Sequence, residues 1–325
     1  MKDINYIKIP IKKELAHFDK YFRKSIDSDV FLLKIIIKYL LKTKGKQMRP
    51  ILVFLSSKLI GGKVTDASYV AATLIELMHT ATLIHDDVVD NAKYRRGFLT
   101  LHKIWKPKIA VLLGDYLLSR GLLEAVAYKQ YNLLEIVSEA VKEMSEGELL
   151  QIEKSKKLDI KEETYFDIIT KKTAVLIASC TKAGAVAANA DKENAEKLKL
   201  FGLNLGIAFQ IKDDLLDFDK NSKTGKLAGN DIRERKITLP LIYSLTKSTG
   251  KEKRHVLSIL RKKNKTNDDI SFVINFVKEK GGIEYAQGVM NNYKHKALDY
   301  IKDFSDNEIY PFLVAFSDFV INRKK

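Results

Sequence analysis

Cysteine is almost absent from this 325-residue chain: Cys180 stands alone. That excludes an intrachain disulfide and fits a reducing compartment. Cys180 lies in an Ala/Ser/Gly-rich stretch and reads as small packing, not as a nucleophile. Prolines are few and scattered, at Pro10, Pro50, Pro107, Pro240 and Pro311, and no Pro/Gly/Ser-rich linker separates two regimes of composition. A single domain over residues 1–325 is therefore expected. No apolar run approaches the ~20 residues of a membrane span. Met1-Lys2-Asp3-Ile4 lacks the features of a signal peptide, so a cytoplasmic protein is expected. Clean period-two alternation is also rare, which argues against extensive sheet.

What the chain has instead is apolar residues at helical spacing, as in Ala71, Ala72, Leu74, Ile75, Met78 and Ala81. The pattern predicts an all-α fold, a helical bundle built around a deep central cavity. Helices are expected over 3–24, 29–42, 47–60, 66–94, 108–129, 131–154, 161–189, 192–219, 238–248, 253–263, 268–279, 281–302 and 307–322. The segment from Thr65 to Asp86 carries only Asp66 and Glu76 as intervening acids and no Lys or Arg, so its helix should be central and buried on most sides.

Lys and Arg outnumber Asp and Glu by 57 to 41, a formal net charge of +16. The lysines are spread along nearly every helix, without aromatic interleaving or a groove-reading motif. A solvated basic surface accounts for them better than nucleic acid, which is not expected as a partner. The same charge would attract anionic substrates or a membrane surface.

Acids, by contrast, are concentrated. Asp86-Asp87-Val88-Val89-Asp90 and Asp213-Asp214-Leu215-Leu216-Asp217 are both DDxxD runs. On a helix the residues at i and i+4 stack on one face with i+3 beside them, so each run gathers like charges amid apolar neighbours and calls for cations. Oxygen ligands without Cys or His favour hard ions, and Mg2+ commonly shares one or two carboxylates with substrate phosphates. Two such runs point to a diphosphate held through Mg2+. The spacing is not that of an EF-hand loop, which needs alternating acids and a glycine in a turn.

The segment from Glu76 to Asp90, followed by Arg95-Arg96-Gly97, closely resembles the first aspartate-rich motif of trans-polyprenyl diphosphate synthases, of the long-chain hexaprenyl to octaprenyl type. The segment from Phe209 to Asp217 resembles the second. Gly45-Lys46-Gln47-Met48-Arg49-Pro50, Gly114-Asp115-Tyr116-Leu117, Lys172-Thr173-Ala174 and Lys236-Ile237-Thr238-Leu239-Pro240 match further motifs in the family's order, so the resemblance covers residues 45–240. It implies an isoprenoid-synthase bundle, usually a homodimer, that joins an allylic diphosphate to successive isopentenyl diphosphates with up to three Mg2+ per active site.

By the same resemblance, Asp86, Asp87, Asp90, Asp213, Asp214 and Asp217 form the metal set, with Asp86, Asp90 and Asp213 as the direct ligands. Lys46, Arg49, His79 and Arg96 would contact isopentenyl diphosphate; Arg95, Lys172, Lys226 and Lys236 would contact the allylic diphosphate. Thr173 and Gln210 would face the allylic cation with oxygen dipoles, and the released diphosphate would accept the last proton. Two departures fall in loops: Lys44-Gly45 replaces a double glycine, and Glu234-Arg235-Lys236 replaces Glu-Gly-Lys. The tail Asn322-Arg323-Lys324-Lys325 could close over a diphosphate, but reads rather as frayed and solvated.

Product length follows from the residues before Asp86. Aromatics four or five positions upstream stop growth early in this family; here Thr82 and Ala81 stand there, both small. A tail could pass toward Met78, Leu77 and Leu74, with Tyr116 or Leu117 as other floors. A product beyond C20, within C30–C40 and destined for a quinone side chain, is expected, with transient membrane contact on release. The alternatives are a farnesyl or geranylgeranyl synthase, a class I terpene cyclase, or one subunit of a heteromeric synthase.

Overall fold

The computed structural model describes residues 3–42, 45–95, 97–157, 161–219 and 229–323. In chain order its helices are α1 (Ile4–Lys8), α2 (Lys12–Ser25), α3 (Phe31–Lys42), α4 (Met48–Gly61), α5 (Asp66–Val89), α6 (Leu101–Trp105), α7 (Pro107–Ala127), α8 (Tyr131–Lys157), α9 (Glu162–Ile169), α10 (Val175–Ala187), α11 (Lys192–Asp217), α12 (Asn230–Arg233), α13 (Leu239–Thr246), α14 (Gly250–Arg261), α15 (Asn267–Glu279), α16 (Gly282–Tyr300) and α17 (Tyr310–Asn322). One contiguous apolar core runs through them from Ile7 to Ile321. The all-α fold is the one expected.

The departures from the expected helices have local causes. Pro10 lacks an N–H, and the first helix breaks there into α1, a 3-10 turn over Ile9–Ile11, and α2. α5 stops at Val89, short of residue 94, because Asn91 takes a left-handed φ of 50°. The Asn91 N–H then donates to the Val88 carbonyl and the Ala92 N–H to that of Asp87, closing the helix in a Schellman arrangement. Beyond it a two-stranded hairpin, β1 (Tyr94–Arg95) and β2 (Phe98–Leu99), pairs Tyr94 with Leu99 and Arg95 with Phe98. The expected helix over 161–189 is interrupted by a π-helical turn at Thr170–Ala174, which separates α9 from α10.

α5 is the central helix, with Ala71, Ala72, Leu74, Ile75, Leu77 and Ala81 wholly buried. Thr65 and Ser68 start it with a reciprocal capping box. The expectation that no apolar segment reaches membrane-spanning length needs correcting: α5 is long and apolar enough to do so, and mostly buried inside the protein. Its composition reflects a core surrounded by other helices.

Cys180 sits in this core on α10, fully buried, its Sγ donating to the Leu176 carbonyl at 3.1 Å. Burial pushes its thiol up to about 12, so the thiolate that reacts with disulfide reagents is scarce at neutral pH. In the native protein, 5,5′-dithiobis(2-nitrobenzoate) is expected to label Cys180 only after denaturant is added; stoichiometric labelling of the folded protein would contradict this placement.

Candidate functional site

Three helix segments converge on one region: the C-terminal ends of α5 and α11, and the π turn between α9 and α10. Two glycines set the approach. A Cβ on Gly147 of α8 would lie 2.8 Å from the Lys172 backbone nitrogen, and one on Gly206 of α11 would lie 2.6 Å from the Ala174 Cα. Only residues without side chains let both helices come this near. One turn beyond each glycine stand Gln151 and Gln210, brought against the π turn from its two sides.

Lys172 is thereby fixed. Its Nζ donates to Gln151 Oε1 at 2.7 Å and pairs with the Glu148 carboxylate. On the other side the Thr173 hydroxyl donates to Gln210 Oε1 at 2.8 Å, and Gln210 Nε2 donates to Asp214 Oδ1 at 2.9 Å. The buried Tyr165 hydroxyl donates to Asp214 Oδ2 at 2.7 Å. Glu148, Gln151 and Tyr165 escape sequence reasoning. A glycine inside a helical pattern at Gly147 is a signal for the first two; nothing local marks Tyr165.

The six aspartates are not equivalent. Asp86 and Asp90 are exposed, one turn apart on the face of α5 that also carries Thr82. Burial of its surroundings, and then the Glu148 carboxylate, push the Asp86 acid up, against the pull of Lys172. Asp87 points elsewhere: it is buried and accepts from Arg95 Nε at 2.8 Å. Asp213 is exposed and pairs with Arg323 Nη2 at 2.6 Å. Asp217 accepts the backbone N–H groups of Asn230 and Asp231, both at 3.0 Å, and so anchors α12. Asp214 is buried; desolvation and then nearby Asp231 push its acid up to about 8, against the hydrogen bonds from Tyr165 and Gln210.

The remaining basic residues are spread over several places. A cavity of about 100 Å³ lies between α5 and the α2–α3 pair, lined by polar Arg49, His79, Asp87 and Arg95 and by apolar Phe22, Leu83 and Phe98 among others. Arg49 Nη1 pairs there with Glu76 at 3.2 Å. Lys46 lies 5.3 Å over the Phe319 ring of α17. Lys236 Nζ bonds Glu234 at 2.5 Å and feels the charges of Asp231 and Asp90. Arg235, the departure from glycine, adopts a φ of 61°, the left-handed region that glycine favours, and its Nη2 donates to the Arg261 carbonyl at 2.9 Å. Arg323 is not frayed as expected: its side chain is only 13% exposed. Arg96 and Lys226 lie outside the described residues.

The chain-length residues also separate. Leu74 and Leu77 pack against the position of Gly121 on α7 and close that helix contact. Ala81 is wholly buried and Met78 nearly so. The Thr82 hydroxyl donates to the His79 carbonyl at 2.9 Å. Tyr116 directs its hydroxyl to the Ile26 and Asp27 carbonyls, and Leu117 is buried.

Among the described residues, no three His, Cys, Asp or Glu side chains converge to enclose an ion. The donor set still fits a hard cation whose remaining ligands come from a diphosphate: exposed Asp86 and Asp90 on one helix end, and Asp213 on the other, already beside a guanidinium.

Comparison with known proteins completes the description. The polyprenyl synthetase family model matches residues 31–277. The short chain isoprenyl diphosphate synthase of Methanothermobacter thermautotrophicus is 34% identical over 294 residues, covering 88% of this chain and 89% of its own. The all-trans-nonaprenyl-diphosphate synthase (geranyl-diphosphate specific) of Rhodobacter capsulatus is 32% identical over 317 residues, 97% of this chain and 96% of its own. The crystal structure of a polyprenyl synthase from Caulobacter crescentus, complexed with calcium and isoprenyl diphosphate, superimposes with a TM-score of 0.91 at 32% identity, covering 99% and 98% of the two chains.

An acid whose folded-state pKa lies near 8 instead of 3.8 keeps a proton on folding that the unfolded chain has lost. Its contribution to stability is therefore lost progressively as pH rises from about 4 to about 8. Urea unfolding of metal-free protein is expected to show that decline, and Asp214→Asn to flatten it; parallel profiles for the two proteins would refute the assignment.

Proposed function

The chain belongs to the polyprenyl synthetase family and is a prenyltransferase, and from that premise we propose a Mg2+-dependent synthase that adds isopentenyl diphosphate units to an allylic diphosphate, carrying the product beyond C20 into the C30–C40 range. The observation that supports it most is the π turn tied through Thr173 and Gln210 to Asp214 of α11, with Lys172 close enough for Asp86 of α5 to feel its charge.

Asp86, Asp90 and Asp213 would hold the metal. Bound with the allylic diphosphate, Mg2+ supplies Lewis-acid neutralisation of the charge that builds on the leaving group. Lys172, kept in place by Gln151 and Glu148, adds a fixed positive charge beside those oxygens. Thr173 donates its proton to Gln210, so its oxygen lone pairs stay available to face an allylic cation without attacking it. Asp87 orients Arg95 at the lip of the cavity, where Arg49 and His79 offer donors to the second diphosphate.

The relatives' names run from short chain to nonaprenyl, so the long-chain reading rests on Thr82, which shares the face of Asp86 and Asp90 and is small. A homodimer is supported by exposed Leu112, Leu122, Leu123 and Val126 on α7, with Leu149 and Ile152 on α8, an apolar stripe that a second copy would cover.

Purified protein given Mg2+, farnesyl diphosphate and labelled isopentenyl diphosphate is expected to yield a ladder of products ending beyond C20, sized by chromatography after dephosphorylation. Chelation should stop it, and Asp86→Ala should lower the rate by about a hundredfold or more. A single C20 product would overturn the length assignment, and no condensation with any allylic primer the reaction itself. Thr82→Phe is expected to shorten the ladder; an unchanged ladder would remove Thr82 from the path of the tail.

A further inference from the structure

The end of α17 reaches the second aspartate run from outside. Arg323 Nη2 donates to Asp213 Oδ1 at 2.6 Å and to the Phe209 carbonyl at 3.3 Å, and the guanidinium lies 3.7 Å over the Phe209 ring. Four residues earlier, Phe319 carries Lys46 over its ring. One helix end thus touches both the second aspartate run and the basic segment that precedes α4.

The pairing is incomplete on both sides. The Arg323 Nε is buried without a hydrogen-bond partner, while the Asp213 side chain remains 44% exposed. A guanidinium buried for good would be expected to satisfy all its donors. Lys212 lies close enough to feel the Arg323 charge, so cations already crowd this helix end.

We propose that Arg323 is an internal counter-cation that occupies Asp213 in the unliganded enzyme and must leave it before a divalent metal can bind there. The inference rests on Asp213 being a metal ligand. A guanidinium and a divalent ion compete for the same carboxylate and repel one another at contact distance, so each weakens the other's hold by the same factor. Metal arriving alone meets a carboxylate already neutralised. Metal arriving with a diphosphate brings its own anionic ligands and displaces Arg323, which frees the α17 end beside Lys46. Asp213 would then be opened by the metal–diphosphate complex and not by the free ion.

The test is a Mn2+ titration followed by the electron paramagnetic resonance signal of the free ion, with and without inorganic pyrophosphate. It compares the full-length protein with Arg323→Gln, Arg323→Lys and the double variant Arg323→Gln/Asp213→Asn. Without pyrophosphate, Arg323→Gln is expected to bind Mn2+ about two- to fivefold more tightly than the parent, as for loss of a partly exposed competing ion pair. Arg323→Lys, which keeps the charge, should stay near the parent, and the double variant should lose the gain. Equal or weaker binding by Arg323→Gln, with pyrophosphate-supported Mn2+ binding intact in the parent, would overturn this inference and leave the metal reading standing. Failure of every protein to bind Mn2+ with pyrophosphate would overturn both.

Discussion

The site depends on how closely two helices approach one turn. Gly147 and Gly206 leave no side chain between α8 or α11 and the π turn, and a methyl group at either would collide with backbone. A π turn widens the helix locally and commonly marks a functional position. Here it presents Lys172 toward α8 and Thr173 toward α11, which a regular helix from α9 into α10 would not do at the same register. The aspartates of α11 inherit their placement from that contact, because Gln210 ties Asp214 to Thr173. The end of α5, closed by the left-handed Asn91, brings Asp86 within reach of the Lys172 charge.

Electrostatics follow from that frame. Each DDxxD run divides its three acids among different duties. One member of each run is buried and tied to protein donors: Asp87 to Arg95, Asp214 to Tyr165 and Gln210. Asp217 spends its oxygens on the backbone of α12. That leaves Asp86 and Asp90 facing outward, and Asp213 half-exposed under Arg323, where the proposed cation and diphosphate would meet them. Buried charge is costly unless paired, so the protein neutralises what it buries and leaves reactive only what it exposes.

The helical fold and the position of both aspartate runs were legible because period 3.6 persists over long segments and i, i+4 spacing survives in any helix. The hairpin at Tyr94–Leu99 was not, since two-residue strands are too short to show a period. Nor was the π turn, because its one-residue shift, from buried Ile169 to buried Ala174, falls on an alanine and is masked by the small residues that follow. The separate duties of the aspartates were hidden for a different reason: Tyr165, Arg323 and Asn230 are distant or loop-separated partners, and which acid they meet is decided by packing. Arg235 shows the reverse case. Its residue departs from the family's glycine, yet its backbone keeps the left-handed conformation that glycine would favour.

The most direct test of this arrangement is Gly206→Ala, with thermal unfolding and steady-state condensation measured on the same preparation. A methyl 2.6 Å from the Ala174 Cα must push α11 away from the π turn. The protein should stay folded but lose about 1–3 kcal/mol of stability. Turnover at saturating substrates should fall by about tenfold or more, because Gln210 and Asp213 move relative to Lys172. A variant as stable and as active as the parent would show that the approach of α11 does not set the site.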